Sequence, residues 1–216
     1  MISRRIIRIK VLQILYSFFK SGSDSIPRTE KELLFSIEKT NELYHYLFLL
    51  LIDVADYSRA KIENAKNKNF PTTEELSPNT RFVDNPILTQ VRENSEFIRY
   101  IEVKKLSWVN YPEIVRNLYN EIKGSELYAK YMGAETVSFN DHKKFIIDIC
   151  GEFIATSELL SQILEEKSIY WNDDLEFVLT ILTKSVSKMK ENKGKNVSLI
   201  TMYKNDEDKQ FLIDLF

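Results

Sequence analysis

The residues able to carry acid–base, nucleophilic or metal chemistry are few and scattered. The chain has two histidines, His45 and His142, and one cysteine, Cys150. Glu42 and His45 make a Glu-x-x-His pair, the i, i+3 spacing that sets two metal ligands on one helix face in di-iron bundles. Such a site needs a second pair, and Phe139 stands three residues before His142, so it cannot be completed. His45 lies in the most apolar stretch and reads as a core histidine with one backbone partner. His142 follows Asp141 near a helix start and reads as part of a solvent-exposed helix N-terminus. Cys150 sits among Ile146, Ile147 and Ile149, where a thiol is inert packing. The acidic pairs Glu74–Glu75, Glu165–Glu166 and Asp173–Asp174 fall in a loop, at a helix end and at a helix start, and read as solvated or capping. Five glycines leave no way to write GxGxxG, GxxxxGK[ST] or GxSxG. The expectation is a binding protein, not an enzyme, with no cofactor and no metal.

A basic cluster is the stronger signal. Arg4, Arg5 and Arg8 lie within little more than a helical turn, an arrangement that can clamp successive phosphates bidentately. Backbone N–H groups at a helix start add donors for an anion. Tyr16, two turns on from Arg8, is placed to stack on an unpaired base, as single-strand readers do. Net charge is only −2, but residues 1–22 hold Arg4, Arg5, Arg8, Lys10 and Lys20 and no acid, +5 in all, leaving −7 for the rest. A local anion-binding surface on an acidic body follows. The competing reading is an amphipathic core helix whose charges are merely solvated.

These residues need elements to hold them, and the patterns are helical throughout. In 3–21, Ile7, Val11, Ile14 and Phe18 form a stripe that Leu12, Leu15 and Phe19 widen, with Lys10, Gln13, Ser17 and Lys20 opposite. Residues 29–69 read as one long helix, apolar on nearly every side from Leu43 to Ile52 and therefore central. Pro71 to Pro86 is irregular. Helices follow at 86–104, 111–123 and 125–132, with Pro112 in a first turn and Gly124 and Gly133 as stops. Residues 139–168 and 173–192 are two further helices, the second opened by an Asp173–Glu176 capping box. A strand-like piece, Val197 to Tyr203, leads to a last helix from Asp206. The fold class is all-α, a helical bundle with one long central helix.

Composition agrees: 44% apolar and 29% charged residues are globular values. No run approaches the roughly 18 apolar residues of a membrane span. A single cysteine fits a reducing compartment, so a cytoplasmic location is expected. Phe211, Leu212, Leu215 and Phe216 close the sequence as an apolar stripe, which either docks into the bundle or has its packing partners in a longer chain, the second being the expectation.

The stretch Arg4-Arg5-Ile6-Ile7-Arg8 through Leu12-Gln13-Ile14-Leu15-Tyr16 resembles the opening of the NusB transcription antitermination family, an arginine cluster followed by a helix reading roughly A-L-Q-A-L-Y. Asp206 to Phe216 is similar to the family helix that carries an aromatic followed by D-L-L or D-L-F. KLSW (Lys105–Trp108), SIYWNDDLEFV (Ser168–Val178) and the helix around Ser36–Leu50 resemble the long-insert branch. The resemblance implies a NusB-like first helix at 1–22, a helical insert at 23–203, and the start of the NusB-like C-terminal region at 204–216. It further implies an all-α factor that binds boxA-type single-stranded RNA with the ribosomal protein NusE in the transcription elongation complex, and so regulates termination of ribosomal RNA operons. Arg4, Arg5 and Arg8 match the family's RNA-contacting start and Tyr16 its helix-one tyrosine. The family's N-E-x-I-E-L-A-like helix and V-N-G-[VI]-L motif have no counterpart here. A helical scaffold acting through proteins, without RNA contact of its own, is the alternative expectation.

Overall fold

The computed structural model describes residues 4–21, 25–171 and 173–191; in the first stretch, side chains are described for 7–20. Among the described residues the fold is all-α, with no strand. Its spine is α2 (Ile26–Lys66), 41 residues and so about 60 Å long. Its middle is buried on every side, from Leu43 through Phe48 and on to Ile52. Pro27 occupies the first turn, where its missing N–H costs nothing.

The remaining helices wrap this spine. α1 (Arg4–Ser21) packs along α2, as do α6 (Pro112–Gly124) and α10 (Leu175–Lys188). The short α3 (Thr73–Leu76), α4 (Pro86–Arg92) and α5 (Ser95–Lys104) also touch it. α7 (Glu126–Gly133) joins α6 to α8 (Phe139–Ile149), and α9 (Glu158–Lys167) leads back towards α10. Pro112 and Gly133 stand where the sequence placed them, in the first turn of α6 and at the end of α7.

Two expected helices are each broken in two. The 86–104 segment stops at Arg92 because Asn94 caps a new helix, its side-chain oxygen accepting from Phe97 N at 2.8 Å. The 139–168 segment widens into a π-helical turn over Cys150–Ile154, and Ser157 then caps α9 by accepting from Leu160 N. In both cases a polar side chain outcompetes continuation of the backbone ladder. The expected strand-like piece Val197–Tyr203 and the helix from Asp206 lie outside the described residues.

Aromatic rings organise the core beside α2. Tyr46 stacks on Trp108, ring centres 3.8 Å apart and 11° from parallel. Trp108 Nε1 donates to Tyr46 O at 3.0 Å, and Trp171 Nε1 donates to Lys39 O at 2.8 Å. Each buried indole thus satisfies its one donor on the spine. Lys167 lies over both Tyr46 and Tyr111, 5.1 and 5.4 Å from their ring centres.

Candidate nucleic-acid interface

α1 presents one face to the core and another outward. Ile7, Val11 and Ile14 are buried, as their spacing predicts. Arg8 is exposed and Tyr16 is 65% exposed, both on the outer side of the helix. Arg4 and Arg5 belong to the first turn of α1, with side chains outside the described residues. That turn holds no acidic residue. A basic residue type in the first turn of a helix is the unfavourable sign for the helix dipole. An anion bound at this end would offset that repulsion.

Two expectations for this helix are overturned. Lys10 does not line a solvated face: it is only 4% exposed. Its Nζ lies 2.7 Å from Asp174 Oδ1 and donates to Tyr170 O at 3.4 Å. The charge is buried because its neighbours one turn either way, Ile7 and Ile14, are themselves core. Leu12 and Phe19 do not widen the buried stripe; they are 69% and 76% exposed. With Ile9 and Tyr16 they make an outward row at spacings of three, four and three, because α2 covers only one side of α1.

The partner of Lys10 explains a third difference. The expected Asp173–Glu176 box does not form; Asp174 is the N-cap of α10 and makes no side-chain cap bond. Its carboxylate is engaged elsewhere, with Oδ1 on Lys10 and Oδ2 accepting from Thr40 Oγ1 at 2.6 Å. Three helices therefore meet at one buried carboxylate.

The other candidate groups are structural in their surroundings. His45 is buried; its Nδ1 lies 2.8 Å from Asn41 O, and since a carbonyl only accepts, Nδ1 carries the proton. Its ring stacks on Tyr100 at 3.9 Å, and burial lowers its pKa, so it stays neutral. Glu42, its motif partner, binds Lys39 at 2.8 Å. His142 is not a solvent-exposed terminal residue as expected. It is half-buried, its Nδ1 2.6 Å from Tyr131 OH, because α7 folds back over the start of α8. Cys150 is buried, and loss of water pushes its thiol up to about 12, far from a thiolate at neutral pH. Glu75 completes a capping box with Thr72 at the start of α3, within the stretch expected to be irregular.

Among the described residues no cluster of three or more metal-ligating side chains forms, and no helix is long and apolar enough to cross a membrane. Comparison of the chain with protein-family models, with curated proteins and with solved structures yields no match.

Proposed function

We propose that this protein is a NusB-like factor that binds single-stranded, boxA-type RNA through the outer face of α1. In this reading it acts with the ribosomal protein NusE in the transcription elongation complex and regulates termination of ribosomal RNA operons. One observation carries the reading furthest: Arg8 and Tyr16 share the outward side of a helix whose other side is packed on α2. A phosphate-binding charge and a ring for base stacking then stand about 12 Å apart along the helix axis. The motif resemblance over Arg4 to Tyr16 and a basic first turn that holds no acidic residue support the same face.

The test is the salt dependence of binding to a boxA oligonucleotide. Changing Arg4, Arg5 and Arg8 together to alanine removes three phosphate contacts and lowers the log–log slope by about 2, at about 0.7 per contact on a single strand. An unchanged slope would remove α1 from the interface.

A second reading rests on Leu12, Phe19 and Ile9, whose exposure on the same face suits an apolar protein surface better than a ribose-phosphate chain. In that case the protein is a scaffold of transcription or ribosome assembly without RNA contact of its own. Titration of RNA with and without the ribosomal partner separates the two: the scaffold binds the partner and gives no RNA signal alone.

A further inference from the structure

A cavity of about 330 Å³ opens between α1, the start of α2 and the turn that precedes α10. That is within the range of small-molecule sites, about 300–1,000 Å³. Its lining includes Lys10, Gln13, Tyr16, Ser36, Tyr170 and Asp173. Two tyrosines supply ring surface, and Tyr170 is itself held edge-on by Phe35, ring centres 5.3 Å apart. The polar groups differ in kind. Lys10 is buried and has three N–H donors; its acceptors among the described residues are Asp174 Oδ1 and Tyr170 O, which leaves one donor for the cavity. Asp173 stands exposed beside the buried Asp174 and offers only acceptors. A fixed cationic donor, a carboxylate and aromatic walls suit a flat heterocycle that accepts on one edge and donates on another.

Resting on the RNA reading of α1, we propose that this cavity takes an unpaired guanine base. Lys10 donates towards O6 or N7, and Asp173 accepts from N1–H and N2–H. Tyr16 and Tyr170 supply the stacking surface. Adenine is rejected because it carries an amino group where guanine has O6, and that group would meet the Lys10 ammonium. An adenine also has no N1–H for the carboxylate. The base would enter from the outer face of α1, since Tyr16 belongs both to that face and to the cavity lining.

The test uses the full chain and three twelve-residue oligouridylates that carry guanosine, inosine or adenosine at one central position. Fluorescence anisotropy at fixed salt should show guanosine bound about fivefold or more tighter than adenosine, with inosine between, since it lacks only N2–H. Asp173→Asn removes the carboxylate but not the Lys10 donor, so it should narrow the difference while leaving the adenosine oligomer bound no more weakly. A parallel titration with guanosine 5′-monophosphate should shift the backbone amide resonances of Gln13, Ser36 and Tyr170. Equal affinity for the three oligomers overturns the base pocket and leaves the RNA reading standing. Loss of all oligomer binding, with those amides still shifting, overturns the RNA reading and keeps a guanine nucleotide site. Loss of both overturns both.

Discussion

Lys10 Nζ and Asp174 Oδ1 lie 2.7 Å apart with side-chain exposures of 5% and 8%, and this contact ties the first helix to the start of the last described one. A buried pair of this kind is not strong evidence of net stabilisation, because taking two charges out of water costs nearly what their attraction returns. Breaking it is another matter. Lys10→Ala leaves the Asp174 carboxylate buried with, among the described residues, the Thr40 hydroxyl as its remaining side-chain partner, and should cost about 3–5 kcal/mol of unfolding free energy. Replacing both partners, Lys10→Met with Asp174→Leu, should recover most of that loss. Urea denaturation checks the pattern; a Lys10→Ala cost below about 1 kcal/mol would show that the pair does not hold α1.

The architecture was legible in the sequence wherever helical spacing was backed by a strong terminator. Pro112 and Gly124 bracket α6, and the unbroken apolar run from Tyr46 to Ile52 marks the spine. What the periodicity did not show was which side of an amphipathic helix has a neighbour. Leu12 and Phe19 follow the same apolar pattern as Val11 and Ile14, yet only the latter pair meets α2. A signal for Lys10 was present: its i−3 and i+4 neighbours are Ile7 and Ile14, so it had to share their edge. The helix breaks were hidden because Asn94 and Ser157 read equally well as solvated helix residues or as caps. Nor does sequence separation reveal that Asp174 would serve Lys10 instead of its own helix. Of the candidate RNA contacts, the exposure of Arg8 and Tyr16 was legible, while the cavity beside Tyr16 depends on Ile169, Tyr170, Asp173 and Asp174 meeting α1.

The outward row of α1 separates stability from function. Leu12→Gln and Phe19→Gln should each change unfolding free energy by less than about 0.5 kcal/mol, since exposed side chains have little burial to lose. Ile14→Ala, on the packed side, should cost about 2–4 kcal/mol. The informative measurement is binding by the stable Leu12→Gln, Phe19→Gln double variant. Weakened RNA affinity with an unchanged salt slope assigns the row to base or ribose contact. Unchanged RNA affinity with weakened partner capture favours the protein-docking reading.

Lys105 closes α5 in the left-handed conformation, with φ of 53°. Its backbone N–H reaches back to Ile101 O and Glu102 O, satisfying carbonyls that the helix end would otherwise orphan. A side chain there carries steric cost that glycine lacks. Lys105→Gly should therefore stabilise the fold by about 0.5–1 kcal/mol, while Lys105→Ala, which keeps the β-carbon, should be nearly neutral. Thermal denaturation of the two variants tests this directly: a destabilising glycine would mean that Lys105 contributes through its long side chain.

Asp53, on α2, makes part of the stability fall as pH rises. Burial first, and then the neighbouring Asp56 carboxylate, push its pKa up to about 6, with Arg92 acting in the opposite sense. Asp56 is the residue that pairs with Arg92, so the guanidinium is already shared. Because the folded-state value lies above the unfolded one of 3.8, the folded protein holds the extra proton between about pH 4 and 6. Stability from this group is complete below pH 4 and is lost as pH rises through 6. The shift corresponds to about 3 kcal/mol at most, and the partial exposure of Asp53 reduces this to about 1–2 kcal/mol. Asp53→Asn removes the charge and should raise unfolding free energy by that amount at pH 7, with the two proteins converging below pH 4. Parallel urea titrations at pH 4, 5.5 and 7 measure the difference, and a gain independent of pH would assign it to packing instead of ionisation.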